Sequence, residues 1–476
     1  MSGKPVIAVT ALGHYIYFDQ FEGLRAELEG KAADFLRRLA DFDCSIYYTG
    51  YADTPEKAFN AVRECKKQDP DLLFVLMTTY LPSSVIAPFV YYLDVPQVLV
   101  GIQPLAALDY GHTTTYMQLC NDDICAMPEA AGVYERLGKD MPFCFVTSSD
   151  REEYINSELR KYIAAASAKA AFKYATIGYL GHTYEGMYDM HTDPTAFTRA
   201  FGAHVKMLEM CELAEYVNAV TDDEVSRKID EITGIFEICD PSVDPLTDYV
   251  QRGDLEWSAK NACALDRLVS NNRLSALAYY YKGENNNLYE RIAANLIIGN
   301  TLLTSSGIPL AGEADLKTAA AMLIMSKLGG GGSFAEIHPF DTVDDVVLLG
   351  HDGPHNISIC EGRPRLRKLK KYHGKSGSGI GVEFSIKSGD ITILSIGVKR
   401  NGEFKLVAAA GQSIPGEIPQ TGNTNTRCTF GSGITGFLAR WCEAGPTHHF
   451  ALGTGNRLDE LRRFSRMTGI ELIVVE

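Results

Sequence analysis

The chain changes character at the stretch Gly329-Gly-Gly-Gly-Ser-Phe-Ala-Glu-Ile-His-Pro339. Before this stretch, short β-rich runs alternate with helical segments; after it, short β-rich runs follow one another, separated by Gly, Asp and Pro. Alternating strands and helices predict parallel α/β units, whereas a succession of short strands predicts an antiparallel barrel or sandwich. The four glycines therefore mark a boundary between two kinds of fold.

We expect an α/β protein with two parallel-sheet domains before this boundary and a C-terminal antiparallel β-barrel after it. A single hydrophobic core stops growing near ~250–300 residues, so a chain of 476 residues needs more than one core. An Ala, Lys and Glu-rich helix over residues 149–174 leads into a fresh strand and separates the first two domains. The predicted domains cover residues 1–174, 175–330 and 331–476.

The composition narrows the functional classes. The chain has 45 Lys plus Arg against 60 Asp plus Glu, a net charge of −15, which argues against a nucleic-acid partner. No apolar run approaches the ~20 residues of a membrane helix, and no signal-peptide pattern follows Met1. Eleven cysteines without a C-x-x-C pair resemble reduced thiols. We therefore expect a cytoplasmic protein with no membrane partner.

Carboxylates and imidazoles are concentrated beside glycines in four segments. Two carboxylates and two imidazoles, brought together, suit a divalent cation such as Mn²⁺ and leave coordination positions open for a substrate. A neighbouring glycine lets the backbone approach closely and places the side chain on a turn, where functional sites usually lie. Taken singly, each residue fits equally well on a solvated surface. The segments are residues 311–315, 333–339, 349–355 and 445–450.

Other motifs allow different interpretations. Gly431-Ser-Gly433-Ile-Thr-Gly436 matches G-x-G-x-x-G, but it lies in the β-rich region and not in a first βαβ unit, so an ordinary loop is favoured over a nucleotide site. The basic run at residues 363–371 could bind an anionic group, although its alternation favours an exposed strand edge protected by charge. Tyr279, Tyr280 and Tyr281 belong to a core or present one ring to a sugar.

Four motifs, in order along the chain, resemble the L-arabinose isomerase family, within the wider group of L-arabinose and L-fucose isomerase folds. Weaker similarity extends over the whole chain, for example in Thr78-Thr-Tyr-Leu-Pro82, which resembles the family's H-T-F-S-P. The four motifs are Gly-Glu313-x-Asp315-x-Lys317-Thr-Ala-Ala (family G-E-x-D-W-K-T-A-A), Gly332-Ser-Phe-x-Glu336 (G-T-S-F-x-E), Leu349-Gly-His351 (L-G-S-H) and Thr447-His448-His449 (A-H-H).

This resemblance implies a site and its cofactor. Glu313, Glu336, His351 and His449 would be ligands of Mn²⁺ or another divalent cation. The two glutamates would also be the base and the acid of proton transfer, with His448 beside them. The resemblance further implies a homo-oligomer, either hexamer or tetramer, with active sites between subunits.

The pocket that selects the sugar departs from the family pattern. Residues 11–17 stand where the family has S-Q-H-L-Y-G, and residues 121–129 stand where it has A-H-G-G-R-E. We expect His448, Tyr281, Tyr184 and His14 to contact the substrate.

The function predicted from the sequence is metal-dependent aldose–ketose isomerisation of a pentose or hexose through an enediolate. The alternatives are an epimerase or an isomerase of a modified, anionic sugar on the same metal centre, a non-catalytic sugar-binding protein, and an oxidoreductase that uses residues 431–436.

Overall fold

The computed structural model describes residues 4–283, 287–370 and 379–476. These residues form two compact units, which divide between Ala170 and Ala171. Among the helices of these ranges, none combines the length and apolarity needed to cross a membrane.

The first unit is a parallel sheet with helices, as the alternation of its sequence predicts. Its five strands lie in the order β2-β1-β3-β4-β5, and all their pairings are parallel. The second helix begins with a side-chain cap: Thr54 Oγ1 accepts a hydrogen bond from the Lys57 amide, and Pro55 is the first helical residue. The elements are β1 Val6–Leu12, α1 Leu24–Leu39, β2 Ser45–Ala52, α2 Pro55–Lys67, β3 Leu72–Met77, α3 Ser83–Tyr92, β4 Gln97–Gln103, α4 Thr115–Cys120, α5 Met127–Arg136, β5 Phe143–Ser148 and α6 Glu152–Ala170.

The second unit begins with another parallel sheet, whose strands lie in the order β11-β10-β6-β7. Strands β8 and β9, two residues each, belong to a separate small sheet. The elements of this part are β6 Thr176–Gly181, α7 Pro194–Phe201, β7 His204–Leu208, α8 Met210–Ala219, α9 Asp222–Ile235, β8 Glu237–Ile238, β9 Thr247–Asp248, α10 Arg252–Asn271, β10 Leu274–Tyr280, α11 Leu288–Ala293, α12 Ile297–Ser305, β11 Leu310–Ala311 and α13 Leu316–Lys327.

The rest of the second unit contains a closed barrel. Six antiparallel strands lie in the order β16-β19-β12-β13-β18-β17, and pairing of β16 with β17 closes the ring. Strand β20 adds to β17 in parallel. The elements are β12 Ser333–Asp341, β13 Val346–His351, β14 Arg365–Leu369, β15 Gly381–Glu383, β16 Gly389–Val398, β17 Phe404–Ile414, β18 Thr424–Thr429, α14 Ile434–Glu443, β19 Phe450–Thr454, α15 Leu458–Thr468 and β20 Glu471–Val474.

The predicted fold class, parallel α/β sheets followed by an antiparallel β-barrel, is confirmed. Helix α13 connects the two architectures of the second unit, since it packs against β10 on one side and against β16 and β19 on another. Every residue from Leu316 to Met325 is buried, as expected for a helix that is enclosed by neighbours. The turn before α13 and the strands β12 and β13 then bring the candidate site together. The three-domain division stays a prediction.

Candidate metal centre and active site

Glu313 lies in a strained turn. Strand β11 ends at Ala311, and a single 3₁₀ turn over Gly312–Ala314 leads to α13. Glu313 and Ala314 both have left-handed backbone angles, with φ of 55° and 54°. Non-glycine residues rarely adopt this conformation, and it is concentrated at functional sites. The turn therefore presents the Glu313 carboxylate through the backbone.

Glu336 and His351 lie on adjacent strands of the barrel. In the antiparallel pairing of β12 and β13, Glu336 is opposite Gly350, which immediately precedes His351. His351 is buried, and the Phe334 ring packs edge-on against it with 4.6 Å between the ring centres. Register between the two strands thus places a carboxylate and an imidazole on neighbouring strands, one residue out of direct opposition.

Two histidines hold the Glu336 carboxylate. His338 Nε2 lies 3.0 Å from Glu336 Oε1, and His448 Nε2 lies 2.6 Å from Glu336 Oε2. Burial raises the pKa of Glu336, but the hydrogen bonds from His338 and His448 outweigh it, so the pKa of this carboxyl is well below its ordinary value. The hydrogen bond to Glu336 likewise raises the pKa of His448. Glu336 is therefore ionised at neutral pH.

His449 is fully buried and oriented by Asp315. Its Nδ1–H donates to Asp315 Oδ2 at 3.2 Å, and Asp315 also accepts from the amide and hydroxyl of Thr318 at 3.0 and 2.9 Å. Burial raises the pKa of Asp315, but nearby Lys317 and the hydrogen bonds lower it to about 2. Because Nδ1 is engaged by a carboxylate, the other ring nitrogen, Nε2, is free to act as a ligand.

The chemistry of this set fits a divalent cation. His449 Nε2 is buried without a hydrogen-bond partner and lies 3.5 Å from Glu313 Oε2. One group whose ligand atoms all lie within 4.8 Å of one another contains Glu313, His351 and His449; a second contains Glu336, His448 and His449. Carboxylate oxygen and imidazole nitrogen are donors that Mn²⁺ and similar ions accept. The structure thus brings together the four predicted ligands and His448 in two overlapping groups.

The two neighbouring histidines have different environments. His448 is exposed, its ring contacts Glu336, and its backbone amide donates to Asp189 Oδ2 at 2.7 Å. His449 faces the interior, in contact with Asp315 and Glu313. The two rings therefore differ in exposure and partners: the His448 ring lies at the edge of the site, and the His449 ring lies in its interior.

The predicted aromatic contacts are only partly brought to this site. Tyr184 donates its amide to the Glu313 carbonyl, and its ring packs on Tyr280 with 5.5 Å between centres. Burial, together with nearby Tyr184 and Glu313, raises the pKa of Tyr280 to about 12. Tyr281 instead packs against Tyr289 at 5.8 Å. Of the tyrosine triplet, Tyr280 is the ring that packs on Tyr184, and the contact of Tyr281 with a substrate stays a prediction.

His14 lies in the first unit, just after β1, whereas the clustered ligand atoms all belong to the second unit. Its ring packs edge-on against Tyr15, Tyr17 and Tyr80, at 5.5, 5.2 and 6.3 Å. Burial lowers its pKa. Its contact with a substrate stays a prediction.

Three polar residues at this site, Asp189, Asp315 and His338, were given no role from the sequence, although Asp315 and His338 lie in two of the segments rich in carboxylates and imidazoles. Asp315 stood in a quoted motif, three residues before Thr318, which is the spacing of a helix N-cap. His338 follows Glu336 by two positions, the spacing that puts both side chains on one face of a strand. Asp189 gave no signal, because its partner His448 is 259 positions away.

The side chains of the basic run at residues 363–370 make intramolecular contacts. The last residue of the run, Lys371, lies outside the described residues. Arg363 donates to main-chain carbonyls at the end of α9, including that of Phe236 at 2.8 Å. Arg365 and Arg367 pair with Glu383, and Lys368 pairs with Asp254 at 2.6 Å. Strand β14 pairs with β8, β9 and β15 and is therefore an interior strand of its small sheet. The expected exposed edge was wrong.

The G-x-G-x-x-G stretch caps an ordinary helix of the second unit. It precedes α14, which follows an antiparallel barrel strand and not the first strand of a βαβ unit. The Ile434 amide at the N-terminus of α14 donates to Asp345 Oδ1 at 2.7 Å. A carboxylate from the same chain thus occupies the position that a pyrophosphate would need, which disfavours a nucleotide site.

Fold and site together define a class: α/β proteins with a closed C-terminal β-barrel that gathers carboxylates and imidazoles suited to a divalent ion. Comparison with known proteins gives the family. The model of the L-arabinose isomerase central domain matches residues 188–331, and the model of the L-arabinose isomerase C-terminal domain matches residues 331–471. Together the two matches span more than half of the chain. The chain belongs to the L-arabinose isomerase family, as the resemblance predicted.

Individual relatives are distant but extend along most of the chain. An L-arabinose isomerase of Vibrio parahaemolyticus is 23% identical over 451 residues, covering 92% of this chain and 87% of the relative. An L-arabinose isomerase of Klebsiella pneumoniae is 21% identical over 455 residues, covering 93% and 88%. The likeness therefore includes the first unit, which neither domain model covers.

Proposed function

We propose that this chain is a divalent-metal-dependent aldose–ketose isomerase that acts on a neutral pentose or hexose, with Mn²⁺ as its ion. Family membership supports the class of reaction. The observation that carries the proposal is the convergence of Glu313, Glu336, His351 and His449 in two groups that share His449. Glu313, Glu336, His351 and His449 are the proposed ligands.

The reaction moves a proton between C1 and C2 of the sugar. Glu313, Glu336, His351 and His449 would hold the ion, which would supply positive charge to offset the negative charge that develops as the proton leaves the sugar. Glu313 and Glu336 are the proposed pair that removes the proton and returns it. Glu336 suits this work because its hydrogen bonds from His338 and His448 hold an ionised carboxylate in one orientation. His448, Tyr184, Tyr281 and His14 are proposed to contact the sugar, together with Tyr280.

The charges around the site support a neutral sugar over an anionic one. Asp189, Asp315, Glu313 and Glu336 make this region acidic. The buried cation Lys317 donates to the Met190 carbonyl at 2.9 Å and to Thr192 Oγ1 at 3.0 Å. The described arginines and lysines of the basic run are bound by carbonyl and carboxylate groups elsewhere in the same chain. A phosphate or carboxylate on the substrate would thus meet repulsion and find these cations engaged.

The proposed assembly is a homo-oligomer, a hexamer or tetramer, in which neighbouring copies complete the sugar pocket. Family membership supports this arrangement, and sedimentation velocity of the purified chain would measure it. A monomer that isomerises sugar at full rate would contradict a shared site.

The decisive experiment is a proton-exchange assay. Metal-stripped protein, with and without added Mn²⁺, is incubated in D₂O with a panel of neutral and anionic aldoses and ketoses, and loss of the C2 proton signal is followed by NMR. We expect exchange with a neutral sugar, only in the presence of metal, together with the matching ketose or aldose as product. A C2 epimer as product would indicate the epimerase alternative. Saturable binding without exchange in any sugar would contradict an enzyme and support a sugar-binding protein.

A further inference from the structure

His338 contacts the site through Glu336. Both residues lie on β12, and their spacing of two places the side chains on one face of the strand. His338 Nε2 is 3.0 Å from Glu336 Oε1, the carboxylate oxygen that faces away from His448. Among the described residues, His338 belongs to neither group of clustered ligand atoms. Its place is beside a proposed ligand and not within the ligand set.

The second nitrogen of His338 is also engaged. Nδ1 lies 2.5 Å from the side-chain oxygen of Asn425, a buried residue on β18. The register of the barrel explains this contact, because Gly350 is opposite Glu336 on one side and opposite Asn425 on the other. A glycine thus stands between the two polar residues on the intervening strand.

The direction of the bond to Glu336 does not depend on how the Asn425 amide is turned. If its oxygen faces His338, both ring nitrogens carry protons and both donate. If its NH₂ group faces His338, Nδ1 accepts and the remaining proton is on Nε2. In both cases Nε2–H donates to Glu336 Oε1.

We infer that His338 and Asn425 form a positioning pair for Glu336. Asn425 orients the imidazole, the imidazole fixes Oε1, and Oε2 is thereby directed toward His448 and the proposed ion. This inference rests on the proposed function. Hydrogen-bond partners of ligating carboxylates typically contribute 10- to 100-fold to metal affinity or activity, so the pair has a measurable consequence.

The test compares His338→Leu, which has no hydrogen-bonding group, with His338→Gln, whose amide can donate to Glu336. His204→Leu is the matched control, because His204 is an exposed histidine on β7. For each protein, Mn²⁺ affinity without sugar is measured by EPR of free Mn²⁺, the Co²⁺ form is examined by visible absorption, and kcat and KM are determined separately. Thermal melting of each variant identifies any loss of folding.

For His338→Leu we expect Mn²⁺ affinity about 10- to 100-fold weaker, an altered Co²⁺ spectrum, and a loss in kcat that exceeds the rise in KM. His338→Gln should recover most of each loss, and His204→Leu should match the wild type. If His338→Leu does not fold, Asn425→Ala provides the test, because it retains the imidazole and removes its orienting partner; its expected loss is about tenfold, the low end of the range for such partners.

Two failures are distinguishable. A folded His338→Leu protein with wild-type Mn²⁺ affinity, Co²⁺ spectrum and kcat would overturn the inference alone, as would a wild-type result for Asn425→Ala if that variant is the one that folds. Wild-type protein that neither binds Mn²⁺ nor exchanges the C2 proton of any sugar would overturn the proposed function, and the inference with it.

Discussion

The two glutamates of the candidate site are presented by different means. Glu313 lies in a turn of left-handed backbone between β11 and α13, so the main chain determines the direction in which its side chain leaves the backbone. Glu336 lies in β12, and imidazoles on both of its oxygens determine its orientation. Left-handed backbone places the first side chain, and hydrogen bonds with two imidazoles orient the second carboxylate. The positions of two chemically equivalent carboxylates in one site should therefore be sensitive to different mutations.

Replacing either carboxylate should cause the greatest loss of kcat and tests whether both carboxylates move the proton. Glu313→Gln and Glu336→Gln should each lower kcat by at least about 10²- to 10⁴-fold, since a positioned acid or base contributes that much. Stopped assays for the sugar product, with circular dichroism as the check on folding, measure this. Unchanged kcat in a folded variant would show that this glutamate does not transfer the proton. The two glutamates would then differ in function as well as in how they are positioned.

A smaller loss, in metal affinity, is expected from changing Asp315, which follows the turn that contains Glu313. Asp315→Asn should weaken Mn²⁺ binding by about 10- to 100-fold, because the carboxylate that fixes the His449 ring would be lost. Titration of the metal-free protein measures it. Thr318→Ser, which retains the hydroxyl donor to Asp315, is the control and should bind Mn²⁺ as the wild type does. Equal affinity in Asp315→Asn would show that packing alone orients His449.

Asp315 should also contribute to the pH dependence of the free energy of unfolding in acid. Its pKa in the folded protein is about 2, below the ordinary 3.8, so its ionised form stabilises the fold above pH ~4 and that contribution is lost as the pH falls toward ~2. Urea unfolding of metal-free protein across this range should show a shallower acid dependence in Asp315→Asn, by up to one proton. Parallel curves for the two proteins would contradict the low pKa.

The smallest expected effect is on the strained turn itself. Ala314→Gly should raise the free energy of unfolding by less than about 1 kcal/mol, because relief of left-handed backbone, roughly 1–2 kcal/mol, is partly offset by loss of a buried methyl and by the greater freedom of glycine in the unfolded chain. Denaturant titration measures the gain. If backbone strain positions Glu313, the same variant should lose some kcat, whereas full activity would mean that the turn is held by its surroundings.

The fold was predictable because its signals are local. Alternation of strands and helices, the Thr54 cap and the glycine boundary each depend on neighbours in sequence. The small sheet was not predictable, because β8 and β9 are only two residues long and show no periodicity. Arg367 consequently looked exposed, although it is buried between Asp244 and Glu383.

The site was predictable to the extent that its residue types stand in recognisable motifs. The partners that orient them were not, because Asn425 meets His338 across 87 positions and His449 meets Asp315 across 134. Such contacts depend on barrel register, which a single sequence does not reveal. The contact of Tyr281 with the sugar stays a prediction, and Tyr280, the last residue of β10, was not singled out because adjacent tyrosines give the same signal in a sequence.

Closure of the barrel has a consequence for engineering. In a closed ring the offsets of all six pairings are linked, so no single strand of the ring can slide without disturbing the others. The short connection from Val398 to Phe404 joins the two strands that close the ring, and its tip is tied by the Lys399 amide to the Glu403 carbonyl at 2.7 Å. A peptide tag or fluorophore inserted at Asn401 should leave the spacing of Glu336 and His351 intact, which makes this hairpin a suitable place to attach a reporter for metal binding.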